Sequence, residues 1–371
     1  FSSMLAALLL GLAIGSGLYR ALPERLRAAR ALIPVLFTLL GSAALLSLAL
    51  AGRLYLSRGI DVLNLSSSLA ITRSHELGLA LQAVFAALVV LAPAAAAGAI
   101  LPALCGAYRG WRSASEAPGA GERVGAVIAS NTVGAITGSL VAPLLLVPAL
   151  GIQRSVVTLA AVAAGAACIA VGASRLPRAL SWLGGAAAIL TLAASALVMP
   201  FELPRNVLAR KIGPRHLPVE LYEEGRTGTV AVVRNRLNGE QQIFINGVNE
   251  VTTRLVHDQS FKLLGHLGLL LHPVPERVVV ICLGAGISAG AAAAHDLDSL
   301  DIVDLERSII PAAERFPRLN NRVLRDPRVN VVVDDGRNHL RTTPTLYDAI
   351  VVDSTHPRAV DSWILYTREF Y

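Results

Sequence analysis

Six long apolar segments, all within the first 200 residues, constrain this chain more than any other feature. They run over about 3–21, 32–51, 78–107, 124–149, 152–173 and 180–200. Each is close to the roughly 20 residues that an α-helix needs to cross a bilayer. The spacing therefore predicts a multi-pass α-helical membrane domain over 1–200. So many segments exclude a lone signal peptide. The first begins at Phe1 without a polar leader, and the sequence reads as a fragment of a longer protein.

Charge follows the same division. Residues 1–200 hold 13 Arg, no Lys and 5 acids, whereas residues 201–371 hold 20 Lys+Arg and 21 acids. The overall +7 thus belongs to the apolar half, where Arg residues sit in short loops. That pattern fits a lipid bilayer as partner and argues against nucleic acid. Arg20, Arg25, Arg27, Arg30, Arg109, Arg112, Arg123, Arg175 and Arg178 fall in alternate loops, which read as cytoplasmic. Six spans would then place the C-terminal half on the opposite side, away from a cytosolic nucleotide. An additional segment around 60–72 would reverse this, so the orientation stays open.

Gly11/Gly15 and Gly134/Gly138 have the small-xxx-small spacing of packed membrane helices. Asn131 reads as an interhelical hydrogen bond or as part of a substrate or ion path. Pro93 predicts a kink. Cys105, Cys168 and Cys282 are isolated, with no metal-ligand or disulfide spacing.

After Pro200 the pattern changes. Residues 201–221 read as a linker, and 222–252 as a small β-hairpin subdomain with Asn246–Gly247 at its turn. A helix follows over 254–271, with Leu255, Phe261, Leu264 and Leu267 near one face. Then strands alternate with helices: Arg277–Leu283, Leu300–Val303, Val329–Val333 and Ala349–Val352, with a helix at about 307–316. This alternation predicts a doubly wound α/β domain over 253–371. Gly284 and Gly286 follow the first of these strands. Asp304, Asp335–Gly336 (after Asp334) and Asp353 follow the next three. Open α/β sheets bind ligands at such carboxyl ends, and the set reads as a nucleoside site. The turn is G-x-G-x-x-x-G, one residue off the dinucleotide spacing. Asp353 can orient an amine and accept its proton as it attacks an electrophilic carbon. His356 is a second acid/base candidate or an exposed turn residue.

These stretches resemble a known family. IFINGVNE, LLLHPVPERVVVICLGAG, IVDLE, VVDDGRNHL, YDAIVVDSTHP and LYTREFY are similar to spermidine synthases, the polyamine aminopropyltransferases. GLAIGSG, GAILPALCG and SNTVGAITGSLVAPLLLVPALG resemble the multi-pass region of fused membrane/spermidine synthase-like proteins. The resemblance implies a methyltransferase-like (Rossmann-type) sheet, incomplete at the C-terminus. It implies decarboxylated S-adenosylmethionine as donor and a small amine or polyamine as acceptor, with no metal. By the same resemblance Asp304 holds the ribose, Asp335 the adenine, and Gly284, Gly286 and Gly336 lie beside them, with Asp353 as the catalytic acid. The resemblance weakens at the acceptor. Ala285 and His356 stand where acids are usual, only Asp258 offers an upstream carboxylate, and Lys262 falls about where another acid is expected. Methyl transfer from S-adenosylmethionine, or a non-catalytic nucleoside sensor or transporter-associated protein in the membrane, are the alternatives. Homo-oligomer formation is left open.

Overall fold

A computed structural model describes residues 2–27, 31–58, 75–107, 120–173, 185–186, 188–194, 197, 202–212, 217–253, 255–353 and 363–370. The chain forms two compact units, Phe1–Lys211 and Ile212–Tyr371.

The first unit is helical. Among the described residues four helical stretches are long and apolar enough to cross a membrane: Ser2–Ala21, Leu32–Arg53, Ala83–Ala107 and Val124–Ala173. The expected segments 124–149 and 152–173 are helical and divide, as expected, at Gly151, a non-helical residue (φ 78°, ψ 167°) at a kink between two helices. The first contains a π-helical stretch at Ala142–Leu146. Most of the expected segment 180–200, and the region 60–72, lie outside the described residues.

Gly11 and Gly15 behave as their spacing predicts. A Cβ at Gly11 would stand 2.5 Å from Ala94 Cβ, and one at Gly15 would overlap the Ala95 carbonyl. Helix Ser2–Ala21 therefore meets helix His75–Ala107 backbone to backbone. Gly134 and Gly138 do not repeat this, since no described atom lies within 4 Å of a Cβ at either position. Asn131 is exposed and makes no interhelical hydrogen bond among the described residues. Helix His75–Ala107 continues through Pro93 and Pro102.

Two elements fall where the sequence suggests a linker. Leu203–Ile212 is a helix whose Leu203 N–H donates to Gln153 Oε1 at 2.8 Å. Val219–Glu224 is a strand, β1. It pairs antiparallel with β2 (Thr229–Arg234), which pairs with β3 (Gln241–Ile245), which pairs with β4 (Val248–Thr252). The expected hairpin is thus a four-stranded sheet. Asn246 and Gly247, both at positive φ, form its last turn.

The second sheet is parallel, with β5 (Arg277–Ile281), β6 (Ser299–Asp304), β7 (Val329–Val333) and β8 (Ala349–Val352) in the order β7-β6-β5-β8. Strand β5 is covered on both faces, as parallel strands with continuous apolar sequence require. Val278 and Val280 pack with Leu269, Ala289 and Ile302, while Val279 and Ile281 pack with Val303 and Leu365.

Helix Leu255–Leu271 corrects an expectation. Of the expected face, Phe261 packs against the core, but Leu264 and Leu267 are exposed, and Asp258, Gly265 and Leu269 complete the inward face. The reason is steric. A Cβ at Gly265 would overlap the Ser288 carbonyl, so the missing side chain lets this helix lie against helix Ile287–Ala292. Gly290 is packed as tightly, against the Asn320 backbone. Gly290→Ala is expected to lower stability by about 1–3 kcal/mol through overpacking. Gly268→Ala, in the same unit but with open space around it, is expected to raise stability by about 0.5–1 kcal/mol through helix propensity. Thermal midpoints of the two variants in detergent check both signs.

Candidate functional site: the crevice at the β5/β8 switch

The strand order reverses between β5 and β8: the chain builds outward from β5 through β6 to β7, then returns to β8 on the other side. Ligands of open α/β sheets bind outside the carboxyl ends at such a reversal. Gly284, Gly286 and Asp353 sit there, with Asp304 one strand away and Asp335 two.

The turn after β5 is built for close backbone approach. Gly284 (φ 51) and Gly286 (φ 75) adopt left-handed conformations that side chains disfavour. In front of Gly284 the space is open, with Val251 Cγ2 the only described atom near a Cβ position, at 3.8 Å. Asn320, buried, fixes the turn from behind. Its Nδ2 donates to the carbonyls of Ala285 (3.0 Å) and Ala313 (2.9 Å), and its Oδ1 accepts from Arg322 N–H.

Asp304 ends β6. Its Oδ2 accepts from Leu283 N–H at 2.7 Å and its Oδ1 from Glu306 N–H at 2.9 Å. A carboxylate offers about four acceptor positions, so two remain beyond these backbone donors. Burial raises its pKa, against the pull of those two backbone hydrogen bonds. Glu306 is next in the chain but one and ties the two sheets together. Its Oε2 accepts from Thr227 N–H (2.9 Å) and Thr227 Oγ1 (2.7 Å), and its Oε1 from Ser308. Burial opposes its charge, but these hydrogen bonds outweigh burial and hold the Glu306 carboxyl below the usual range.

Asp335 caps helix Gly336–Thr342, accepting from Asn338 N–H at 2.8 Å through Oδ1. Gly336 is buried, and a Cβ there would meet the Ile281 side chain, so it seats that helix against β5.

Asp353 follows β8. Its N–H donates to the Ile281 carbonyl at 2.8 Å, holding it beside the Gly284 turn. The carboxyl Oδ2 lies 2.7 Å from Ser288 Oγ. Burial raises its pKa to about 7; the Ser288 hydrogen bond lowers it and the Asp304 carboxylate raises it further. Cys282 lies among these acids. Its thiol is pushed up by burial, then by the fields of Asp304, Asp353 and Asp335, and its φ is 73°. A carboxyl that titrates near neutrality at a ligand crevice is suited to take up a proton.

Asp258 is buried on helix Leu255–Leu271. Lys262 Nζ donates to its Oδ2 at 2.9 Å, and Oδ1 is buried with no partner among the described residues. His356 lies outside the described residues. Among the described residues no group of three His, Cys, Asp or Glu side chains is placed to hold a metal ion. The sequence singled out neither Ser288 nor Asn320. Nothing in the spacing marks them, because the contacts that tie them to the site, Ser288 to Asp353 and Asn320 to Ala285, span 65 and 35 residues.

Comparison with known proteins bears on the same region. Residues 259–371 match the spermine/spermidine synthase domain. A polyamine aminopropyltransferase from Archaeoglobus fulgidus is 28% identical over 153 residues, covering 41% of this chain and 51% of that protein. One from Bacillus subtilis is 36% identical over 114 residues, covering 30% of this chain and 40% of that protein. A solved spermidine synthase, in complex with the transition state analogue AdoDATO, aligns at 25% identity with a TM-score of 0.38. That alignment covers 41% of this chain and 52% of the other. The chain spans about half the length of the curated relatives it matches.

Proposed function

We propose that this chain belongs to a membrane-anchored transferase that moves an aminopropyl group from decarboxylated S-adenosylmethionine to an amine. The observation that carries the reading is the placement of Asp353, a carboxyl raised to about 7 by burial, beside the open Gly284 turn. The match of residues 259–371 to the spermine/spermidine synthase domain supports it.

In this reading Asp304 accepts from the ribose hydroxyls through its two remaining lone-pair positions. The free oxygen of Asp335 lies toward the adenine. The bared backbone at Gly284 lets the nucleoside come close to β5. The amine nitrogen attacks the propyl carbon bonded to the sulfonium sulfur. A new C–N bond forms as the C–S bond breaks, and sulfur keeps the electron pair as a neutral thioether, methylthioadenosine. The nitrogen then carries a surplus proton, which Asp353 accepts. A base near pKa 7 is well matched to this at neutral pH. In this reading the protein is a multi-pass protein of the cell membrane, which the length and apolar composition of Ser2–Ala21, Leu32–Arg53, Ala83–Ala107 and Val124–Ala173 support.

One observation limits the acceptor. Asp258 is already paired with Lys262, so it is poorly disposed to hold a second ammonium, and Lys262 repels one. With Ala285 uncharged, the acceptor is better matched by an amine with a single cationic end than by a diamine held at both. The same features favour the second reading, methyl transfer from S-adenosylmethionine.

The test is turnover by the full chain in detergent, with either donor and a panel of mono-, di- and polyamines, the products identified by mass spectrometry. Methylthioadenosine with an aminopropylated amine is the expected result. S-adenosylhomocysteine with a methylated product selects the second reading. No product from either donor, with nucleoside binding intact, overturns both.

A further inference from the structure

Ser288 is completely buried in helix Ile287–Ala292. Its hydroxyl stands between two acceptors from different elements: Asp353 Oδ2 at 2.7 Å and the Phe261 carbonyl at 3.0 Å. A hydroxyl has one proton to donate and two lone pairs to accept with. Both contacts cannot be donations by Ser288 at once. Two arrangements keep Asp353 hydrogen-bonded. With Asp353 charged, Ser288 donates to the carboxylate. With Asp353 protonated, the carboxyl donates to Ser288 Oγ and Ser288 turns its own proton to the Phe261 carbonyl.

We infer that Ser288 is a positioning residue whose single hydroxyl proton switches between Asp353 and the Phe261 carbonyl, so that Asp353 stays hydrogen-bonded before and after it takes a proton. The inference rests on the base role proposed for Asp353. Ser288 holds the Asp353 carboxyl in place through the proton transfer. Gly265 makes the arrangement possible, because its missing Cβ brings the Phe261 turn of helix Leu255–Leu271 within reach of Ser288.

Among the described residues, the charged groups that bear on Asp353 come from the neighbouring strand ends. Asp304, from the end of β6, raises it, and Cys282, after β5, lies in the joint field of Asp304, Asp353 and Asp335. From helix Leu255–Leu271 the group at Ser288 is the neutral Phe261 carbonyl. A hydrogen bond donated to the charged form favours that form. Its loss therefore moves the titration of Asp353 upward.

The experiment uses the full chain in detergent with aspartate carboxyls labelled with carbon-13. The Asp353 resonance is identified by its disappearance in Asp353→Asn. Ser288→Ala is expected to move the titration midpoint upward by about one pH unit, and Ser288→Thr, which restores a hydroxyl, to move it back. Both variants are expected to bind methylthioadenosine within about twofold of the parent, showing that the crevice is folded. The acid limb of turnover is expected to move with the resonance, with kcat falling and the amine KM little changed. If Ser288→Ala does not bind methylthioadenosine, Ser288→Cys, similar in size but a weak donor, provides the same comparison. An unmoved midpoint in a folded Ser288 variant overturns the inference. A midpoint that moves while Asp353→Asn keeps full turnover supports the Ser288 contact and overturns the base role alone.

Discussion

Asp353→Asn is expected to lower amine-dependent turnover by about 10²–10⁴-fold at pH 8, the range attributed to a positioned acid or base. Asparagine has nearly the same shape and can still accept from Ser288, so methylthioadenosine affinity is expected to change little. The same substitution is expected to stabilise the fold. Asp353 titrates near 7 in the folded chain against about 3.9 in an unfolded one. The folded state therefore binds the proton more tightly, and ionisation of Asp353 destabilises it increasingly as pH rises from about 4 to about 7. Above 7 the penalty is constant, at no more than about 4 kcal/mol for a three-unit shift. Asp353→Asn is free of it. Its thermal midpoint is expected to exceed the parent's at pH 8, with the gap closing as pH falls toward 4. A variant less active and more stable marks a group kept for chemistry at the expense of stability. Equal or lower stability at pH 8 would contradict the buried, proton-hungry carboxyl.

Asp304→Ala is expected to have the second largest effect, on binding and folding together. Two backbone donors, Leu283 N–H and Glu306 N–H, lose their carboxylate acceptor. A buried donor without a partner costs about 1–3 kcal/mol. Removing a desolvated carboxylate offsets part of this, so a net loss of about 2–4 kcal/mol is expected. Hydrogen bonds from ligand hydroxyls to a charged acceptor are worth about 1.5–3 kcal/mol. Methylthioadenosine affinity is therefore expected to fall about 10–100-fold, read by calorimetry. Asp304 also raises Asp353, so its loss is expected to move the Asp353 titration downward. A variant with unchanged affinity would remove Asp304 from the site.

The parallel sheet was legible because its physics is local. Arg277–Ile281 is a short β-branched apolar run of the kind that a strand covered on both faces accommodates, and Ala349–Val352 reads alike although its Ile350 is exposed. The acids after β6, β7 and β8 could be read off as strand ends for the same reason. Strands β1 and β4 were hidden. VELYEE carries three glutamates and VNEVT an asparagine and a glutamate, and their strand state comes from pairing with β2 and β3. The inward face of helix Leu255–Leu271 was legible only at Phe261; Leu264 and Leu267 point elsewhere because the core contact depends on the absence of a side chain at Gly265. Hydrophobic periodicity scores leucines and is blind to such close approaches. Ser288 and Asn320 were invisible for a related reason: each is an ordinary polar residue whose role exists only after distant elements meet. At Gly134 and Gly138 the sequence pattern is present without a described packing partner. The spacing permits close helix approach but does not by itself supply a neighbour.

The most direct test is the pH dependence of single-turnover methylthioadenosine release, by the full chain in detergent loaded with decarboxylated S-adenosylmethionine and its best amine. The account predicts a rate that rises about tenfold per pH unit below about 7 and levels off above it, as Asp353 loses its proton; the rise should vanish in Asp353→Asn. A rate independent of Asp353 across that range would contradict the assignment of Asp353 as the base.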